Sequence, residues 1–459
     1  MAKRKARGVW YTPEPVVNFI VRAVDEVLQS EFGLPDGLAD TSQITVDWDT
    51  GQNQKNGQPV TFKKPMHRVQ ILDPATGTGT FLAEVIKLVA GRVKGIAPGQ
   101  WSSYVEQHLI PRLHGFELLM ASYAMCHMKL DMILTGLGYQ PSATPPRFGV
   151  YLTNSLEEGE RAEQTLFGLS RAIAEEAKAA SNIKRQTPIM VVMGNPPYSG
   201  ISHNNGPWIS EKIEDYKYVD GVHFGERKHW LQDDYVKFIR FAEYMIEKNG
   251  EGVLGFITNH GYLDNPTFRG MRWHLMQTFD RIHVLDLHGN ANKKEVSPDG
   301  SPDKNVFDIM QGVAIIVAVK HRPTRHSARS VAKSQNPQDG MDAATSRSMT
   351  SKPLAEVRHG ELWGHRESKY AALWDGTPAN RMTALLPHKA PQYPFVARDY
   401  DVEAVYAKGF SVAELMPVNV TGIVSMGDSF IITDTPAEPG RLHLFIIRSL
   451  KKSLTLSHL

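Results

Sequence analysis

Val69-Gln70-Ile71-Leu72-Asp73-Pro74-Ala75-Thr76-Gly77-Thr78-Gly79-Thr80-Phe81-Leu82 sets the architecture of this chain. Its first four residues read as the end of a buried strand and its glycines as a tight turn. Phe81, Leu82, Val85, Ile86 and Val89 then make the apolar face of a helix. Strand, glycine-rich turn and helix open a doubly wound α/β sheet, which binds its ligand beyond the carboxyl ends of its strands. Glycine at 77 and 79 lets the backbone come close to that ligand, and Asp73 at the strand end can bond a polar part of it. The spacing is G-x-G, with no third glycine placed for a dinucleotide pyrophosphate. Such a turn also occurs in other α/β cofactor loops and as a plain turn.

Working outward, a second strand-like run ends at Leu113-His114-Gly115-Phe116-Glu117. A carboxylate at the end of the second strand is placed to accept bonds from two ribose hydroxyls. Glu117 alternatively complements the dipole of the Leu-, Ala- and Met-rich helix that follows.

About 120 residues after Asp73, Ile189-Met190-Val191-Val192-Met193-Gly194 reads as another buried strand, and Asn195-Pro196-Pro197-Tyr198 sits at its tip. Two prolines stiffen the backbone and remove two donors. The acceptors left are the Asn195 side-chain oxygen and the Pro196 carbonyl. An exocyclic NH2 carries two hydrogens, so two acceptors can hold it and draw its lone pair out of conjugation. Tyr198 supplies a flat ring on which a base can stack. The bland alternative is a proline-rich turn after a strand.

With these two segments the chain resembles the N6-adenine DNA methyltransferases of the γ arrangement, in which donor-binding motifs precede the catalytic tetrad and the recognition region comes last. The resemblance covers roughly residues 8–320. It implies a Rossmann-like S-adenosylmethionine-dependent fold, a mostly parallel seven-stranded sheet, with a smaller C-terminal target-recognition domain. By the resemblance, Asn195, Pro196, Pro197 and Tyr198 are catalytic. Asp73, Pro74, Ala75, Gly77, Gly79, Thr80 and Phe81 hold the donor, with Glu117 on its ribose, Asn154 near its adenine ring and Asn195 beside it. Tyr11-Thr12-Pro13 and the helix bearing Val16, Val17, Phe19, Ile20, Val24 and Val27 look like the segment that folds over the methionine part. The sulfonium donor is already activated, so no nucleophile or metal is required.

Later segments fit the same order: a helix from Asp234, strands at 252–258, 282–287 and 313–318, and a helix start at Phe268-Arg269. Residues 9–17 and Glu414-Leu415-Met416-Pro417-Val418-Asn419 look most like the methyltransferase part of single-polypeptide restriction–modification enzymes. The resemblance implies double-stranded DNA as partner. There is no G-x-x-x-x-G-K-[ST] loop for nucleotide-driven translocation, so the chain either works as a methyltransferase alone or depends on separate nuclease or helicase subunits for cleavage. Two rivals stand beside this reading. One is a protein glutamine-N5 methyltransferase, which uses the same tetrad. The other is a non-catalytic DNA-binding subunit with a vestigial pocket.

Composition sets the outer bounds. The chain has 459 residues and 41% hydrophobic content, enough for a large core and a second domain. No apolar run reaches membrane-spanning length and no signal peptide is visible, which points to a cytoplasmic protein with no membrane partner. The one cysteine, Cys126, excludes an internal disulfide and reads as a core thiol. Net charge is only +2, although Lys3, Arg4, Lys5 and Arg7, and again Lys320, Arg322, Arg325, Arg329 and Lys333, cluster. Such runs are solvated tails or phosphate contacts. The histidines show no metal-ligand spacing, so no metal site is expected. Asp233-Asp234 reads as a helix cap.

Along the chain, residues 35–68 read as a polar insertion, 157–187 as a charged covering helix and 199–232 as a loop beside the active site. Residues 321–352 read as a linker or disordered insertion, and 353–459 as the recognition domain, possibly truncated.

Overall fold

In the computed structural model of the protein, Gln70–Asp73 forms β3, an internal strand of a mixed sheet, every residue of it buried. The structure describes residues 11–54, 56–159, 169–198, 202, 204–226, 229–322, 352–410 and 412–416. The basic cluster at residues 3–7 and most of the expected linker lie outside them. Contacts divide the chain into two units, Met1–Ala397 and Arg398–Leu459.

In the first unit, α1 (Glu14–Phe32) comes first and buries Val16, Val17, Phe19, Ile20, Val24 and Val27, the residues expected from its period. Each such side chain contributes about 1.5–3 kcal/mol on leaving water. Gly33, at φ +64°, closes the helix in the left-handed region. Ile20 and Val24 lie over Gly255, where an added Cβ would come within 2.9 Å of Val24 and 3.1 Å of Ile20. The absent side chain lets α1 lie directly on the sheet.

The polar insertion is a β-hairpin, β1 (Gln43–Asn53) against β2 (Pro59–His67), antiparallel from Gln43–His67 to Asn53–Pro59. Its faces alternate between half-buried and exposed, with Lys64 over the Trp48 ring at 3.7 Å. The sequence hides it because the alternating apolar side chains are few and both strands are largely solvated.

After β3 come α2 (Thr80–Ile96), β4 (Leu113–Glu117), α3 (Met120–Gly136), β5 (Gly149–Leu152), α4 (Leu169–Gln186) and β6 (Ile189–Gly194). Then follow α5 (Pro207–Glu214), the short ribbon β7 (Tyr218–Val219) with β8 (Val222–His223), α6 (Asp234–Asn249), β9 (Gly252–Asn259), α7 (Arg269–Thr278), β10 (Arg281–Asp286) and β11 (Val313–Lys320). Pairing gives the order β10-β11-β9-β6-β3-β4-β5, parallel except for β11. That is the mostly parallel, Rossmann-like sheet the sequence implies. The fully apolar run of β6 and the nearly fully buried β9 and β11 fit a sheet covered on both faces.

The sheet then continues past the expected seven strands. β12 (Glu356–Glu361) pairs parallel with β10 from Arg281–Glu356 to Asp286–Glu361, and β13 (Ala384–Leu385) closes the edge. Residues 353–397 therefore belong to the first unit, not to a separate lobe. Polar contacts bind them there. Arg22 of α1 donates to the carbonyls of Leu373 and Gly376 at 2.7 and 2.9 Å, closing the C-terminal end of α8 (Arg366–Trp374). Lys369 and Asp303 form a fully buried ion pair at 2.7 Å. The described part of the second unit holds two short helices, Tyr400–Tyr406 and Val412–Leu415. Among the described residues no helix is long and apolar enough to cross a membrane.

Candidate active site

The carboxyl ends of β3, β4 and β6 lie side by side, so the glycine turn, Glu117 and the Asn195 tetrad share one edge of the sheet. Gly77 and Gly79 take φ of +57° and +78°, the left-handed region that only glycine enters freely. Gly79 has a second constraint: a Cβ there would meet the Cys126 sulfur at 2.6 Å. Cys126 is buried, as expected, and burial pushes its thiol up to about 12.

Glu117 binds the turn as well as facing the site. Its Oε2 accepts the Gly77 N–H at 2.8 Å and its Oε1 the Leu119 N–H at 2.7 Å. A carboxylate has about four lone-pair positions, so these two bonds do not by themselves exhaust this half-buried one. The left-handed turn and this carboxylate fit the ribose end of an adenosyl ligand.

Asp73 is buried, and its Oδ1 accepts the Ala75 N–H at 3.1 Å. Burial pushes its carboxyl up to about 8; the Ala75 N–H works against this and the Glu117 charge adds to it. The carboxyl packs on Gly194, where a Cβ would meet Oδ1 at 2.7 Å. Asp73 thus ties the donor-side turn to the strand that carries the tetrad. Pro74 accepts a 2.5 Å hydrogen bond from Ser155, and Thr80 one of 3.2 Å from Lys129. Phe81 lies in the core.

At the tip of β6, the Asn195 amide donates to the Thr12 hydroxyl at 2.9 Å, and its Oδ1 accepts from the Tyr198 hydroxyl at 2.5 Å. The same Tyr198 proton is shared with the Ile257 carbonyl, 3.2 Å away, and the ring stands edge-on to Tyr235 at 6.4 Å. Its ring is only 5% exposed, and burial holds the phenol well above its ordinary value. The ring expected to stack on a base is packed inside in this arrangement. Thr12 reaches the tetrad, with Pro13 opening α1, while Tyr11 is 73% exposed.

Asn154 follows β5. Its Oδ1 accepts the Leu156 N–H at 3.1 Å, and its amide donates to Glu157 and Asn204, both at 3.1 Å. Asn204 belongs to the segment after the tetrad, and two α6 residues hold that segment. Asp234 Oδ1 accepts from Ser202 at 2.5 Å and from Asn204 at 3.0 Å. Lys237, fully buried, donates to the Ser202 hydroxyl at 3.0 Å, the Asn204 carbonyl at 2.5 Å and Asn205 Oδ1 at 3.1 Å. The sequence reading casts Asp233 and Asp234 as helix caps. Asp233 does occupy the cap position, but its side chain makes no capping bond, and Asp234 anchors the loop instead. The only sequence signal for Lys237 is a lysine on the inner face of an amphipathic helix.

The structure also brings His260, which follows β9, to Asp286 and His288 at the end of β10, a meeting that the 26-residue gap between His260 and Asp286 hides in the sequence.

Residues 59–271 match the family described as N-6 DNA Methylase. That span is similar to an N-6 DNA methylase domain. It contains the glycine turn, Glu117 and the tetrad in the γ order. No curated protein sequence matches the chain. Among solved structures, the ATP-dependent Type ISP restriction-modification enzyme LlaBIII bound to DNA is similar at 22% identity and a TM-score of 0.62, over 85% of this chain and 22% of that one. The DrdV–DNA complex is similar at 23% identity and 0.60, over 86% and 32%. A nuclease-deletion mutant of the Type ISP enzyme LlaGI, in complex with a DNA substrate mimic, gives 21% and 0.60, over 86% and 28%. These likenesses extend the fold beyond the matched span, and the chain spans less than a third of each of those proteins.

Proposed function

We propose that this protein methylates the N6 amino group of adenine in double-stranded DNA, at a specific sequence, within a restriction–modification or phage-defence system. The observation that carries the reading is the Asn195-Pro196-Pro197-Tyr198 corner beside the glycine turn, one strand apart, inside a span similar to an N-6 DNA methylase domain.

S-adenosylmethionine, when bound, supplies a methyl group already activated on a sulfonium. Gly77 and Gly79 give it backbone room, Glu117 accepts from its ribose, and Thr12 and Asn195 border its reactive end. Adenine leaves the duplex, since its N6 is otherwise engaged in pairing. Asn195 Oδ1 and the Pro196 carbonyl accept the two amino hydrogens, which localises the nitrogen lone pair and aims it. Asn195 Oδ1 has a second lone pair beyond the one Tyr198 uses, so it can begin to accept before Tyr198 lets go. In the orientation in which the Asn195 amide nitrogen donates to the Thr12 hydroxyl, the oxygen is the atom left to accept from the substrate. The donor-free corner provides positioning and polarisation.

The decisive experiment is transfer of tritiated methyl to DNA. Asn195→Ala is expected to abolish transfer while S-adenosylmethionine still binds in calorimetry. Undiminished transfer by that variant, or label in polypeptide rather than DNA, would overturn the proposal.

A further inference from the structure

Beyond β9, β10 and β12 the sheet edge carries a second group of ionisable side chains that methyl transfer does not use. His260 follows β9, Asp286 ends β10, His288 lies two residues on, and Glu361 ends β12. His260, Asp286 and His288 are all buried.

His288 is the unusual member. Both of its ring nitrogens are buried without a hydrogen-bond partner, and its side chain is 8% exposed. A buried polar group left this way costs on the order of 1–3 kcal/mol. Its backbone sits at φ +51°, a region that side chains other than glycine enter at a cost. Trp363 stacks on the imidazole, with ring centroids 3.3 Å apart and planes within 16°, and fixes its orientation. Strain and stacking hold both nitrogens among carboxylates that meet them only at long range: Nδ1 is 3.7 Å from Asp286 and 4.0 Å from Glu295, and Nε2 is 3.6 Å from Glu361.

Those separations are long for direct hydrogen bonds. They suit donors that share an ion. Two donor atoms each about 2.1 Å from one cation lie roughly 3–4 Å apart. The His260–Asp286 contacts, 3.1 and 3.4 Å from Nδ1, fall in the same range. One ligand atom from each of the three residues can be chosen so that the three lie within 4.8 Å of one another.

We propose that His260, Asp286 and His288 bind one borderline divalent cation of the zinc type, with Glu295 as an additional oxygen ligand. Two imidazoles and a carboxylate suit such an ion better than calcium or magnesium, which prefer oxygen throughout. The cation replaces the proton on His260 Nδ1. That proton moves to Nε2, 3.0 Å from the Asn290 amide, whose oxygen accepts it once the amide is turned over. The ion would clamp the ends of β9 and β10 and the start of the connection to β11. It is a structural staple on the strand next to the one that carries Asn195.

The test uses the full chain, treated with chelator and desalted, then titrated with Zn2+ in a calorimeter. One Zn2+ per chain is expected, with at least about 100-fold weaker binding in His288→Ala and Asp286→Asn, since ligand loss costs no less than the loss of a supporting group. Because either variant may unfold, Co2+ is also added to the unaltered chain. A visible absorption spectrum distinct from that of aqueous Co2+ supports nitrogen ligation at low coordination number. The proposal fails if the unaltered chain retains neither ion after desalting, or if both folded variants bind zinc as the unaltered chain does.

Discussion

The Tyr198 hydroxyl donates at 2.5 Å to Asn195 Oδ1, the atom that the proposed reaction requires as an acceptor. The two side chains hold each other in place within one tetrad. Before a base can stack on Tyr198, the ring must leave its pocket beside Tyr235 and Ile257. The geometry therefore separates two contributions of Tyr198, its hydroxyl and its ring.

Tyr198→Phe removes only the hydroxyl. We expect it to lose about 1 kcal/mol of stability, the net value of one hydrogen bond, and to keep methyl transfer within about tenfold. Tyr198→Ala removes the ring and should raise the KM for DNA by about 5- to 150-fold, from stacking worth about 1–3 kcal/mol. Steady-state kinetics on both variants measures the split. Equal losses would show that the ring does not stack.

Gly79 answers to both its backbone and Cys126. Gly79→Ala should destabilise the protein by about 2–5 kcal/mol, combining left-handed strain with overpacking against sulfur. Adding Cys126→Ala should return the overpacking part and leave the strain. Denaturant unfolding of the two single variants and the double variant checks this. Strict additivity would refute the contact.

Lys237 holds the segment after the tetrad through three oxygen acceptors. Lys237→Met should remove the donor to the Asn204 carbonyl and Asn205 Oδ1, cost about 1–3 kcal/mol and speed proteolytic cleavage within 199–232. Affinity for S-adenosylmethionine should change little, whereas kcat/KM for DNA should fall. Limited proteolysis and calorimetry read the two effects separately.

Asp73 gives the pH dependence. Its folded value is raised to about 8, far above an ordinary carboxyl, chiefly by burial. Its contribution to stability is therefore fully present below about pH 4, where both states are protonated. It declines as pH rises towards 8, because the unfolded chain releases the proton first. Asp73→Asn should flatten this slope. Melting temperatures of both proteins across pH 5–8 test it, and parallel curves would rule it out.

The sequence makes the centre of this molecule readable and its margins obscure. β3, β6 and the turn at Gly77 and Gly79 are legible because buried parallel strands are continuous apolar runs and left-handed turns demand glycine. β12 is not, because Glu356-Val357-Arg358-His359-Gly360-Glu361 is polar and becomes a strand only by pairing with β10. Tyr198 is legible as part of a motif, but its burial against Tyr235 comes from α6, far along the chain. The cluster at His260, Asp286 and His288 escapes spacing rules because His260 arrives from the end of β9, far in sequence from the Asp286-x-His288 pair after β10.

That β12 lies along β10 matters for anyone shortening this chain. Trimming at residue 352, where composition suggests a natural stop, would strip the partner from an internal strand and leave its backbone groups open to other molecules. Such a fragment would retain every residue assigned here to chemistry and still be prone to clump, a failure of solubility that a poor assay could mistake for lost catalysis.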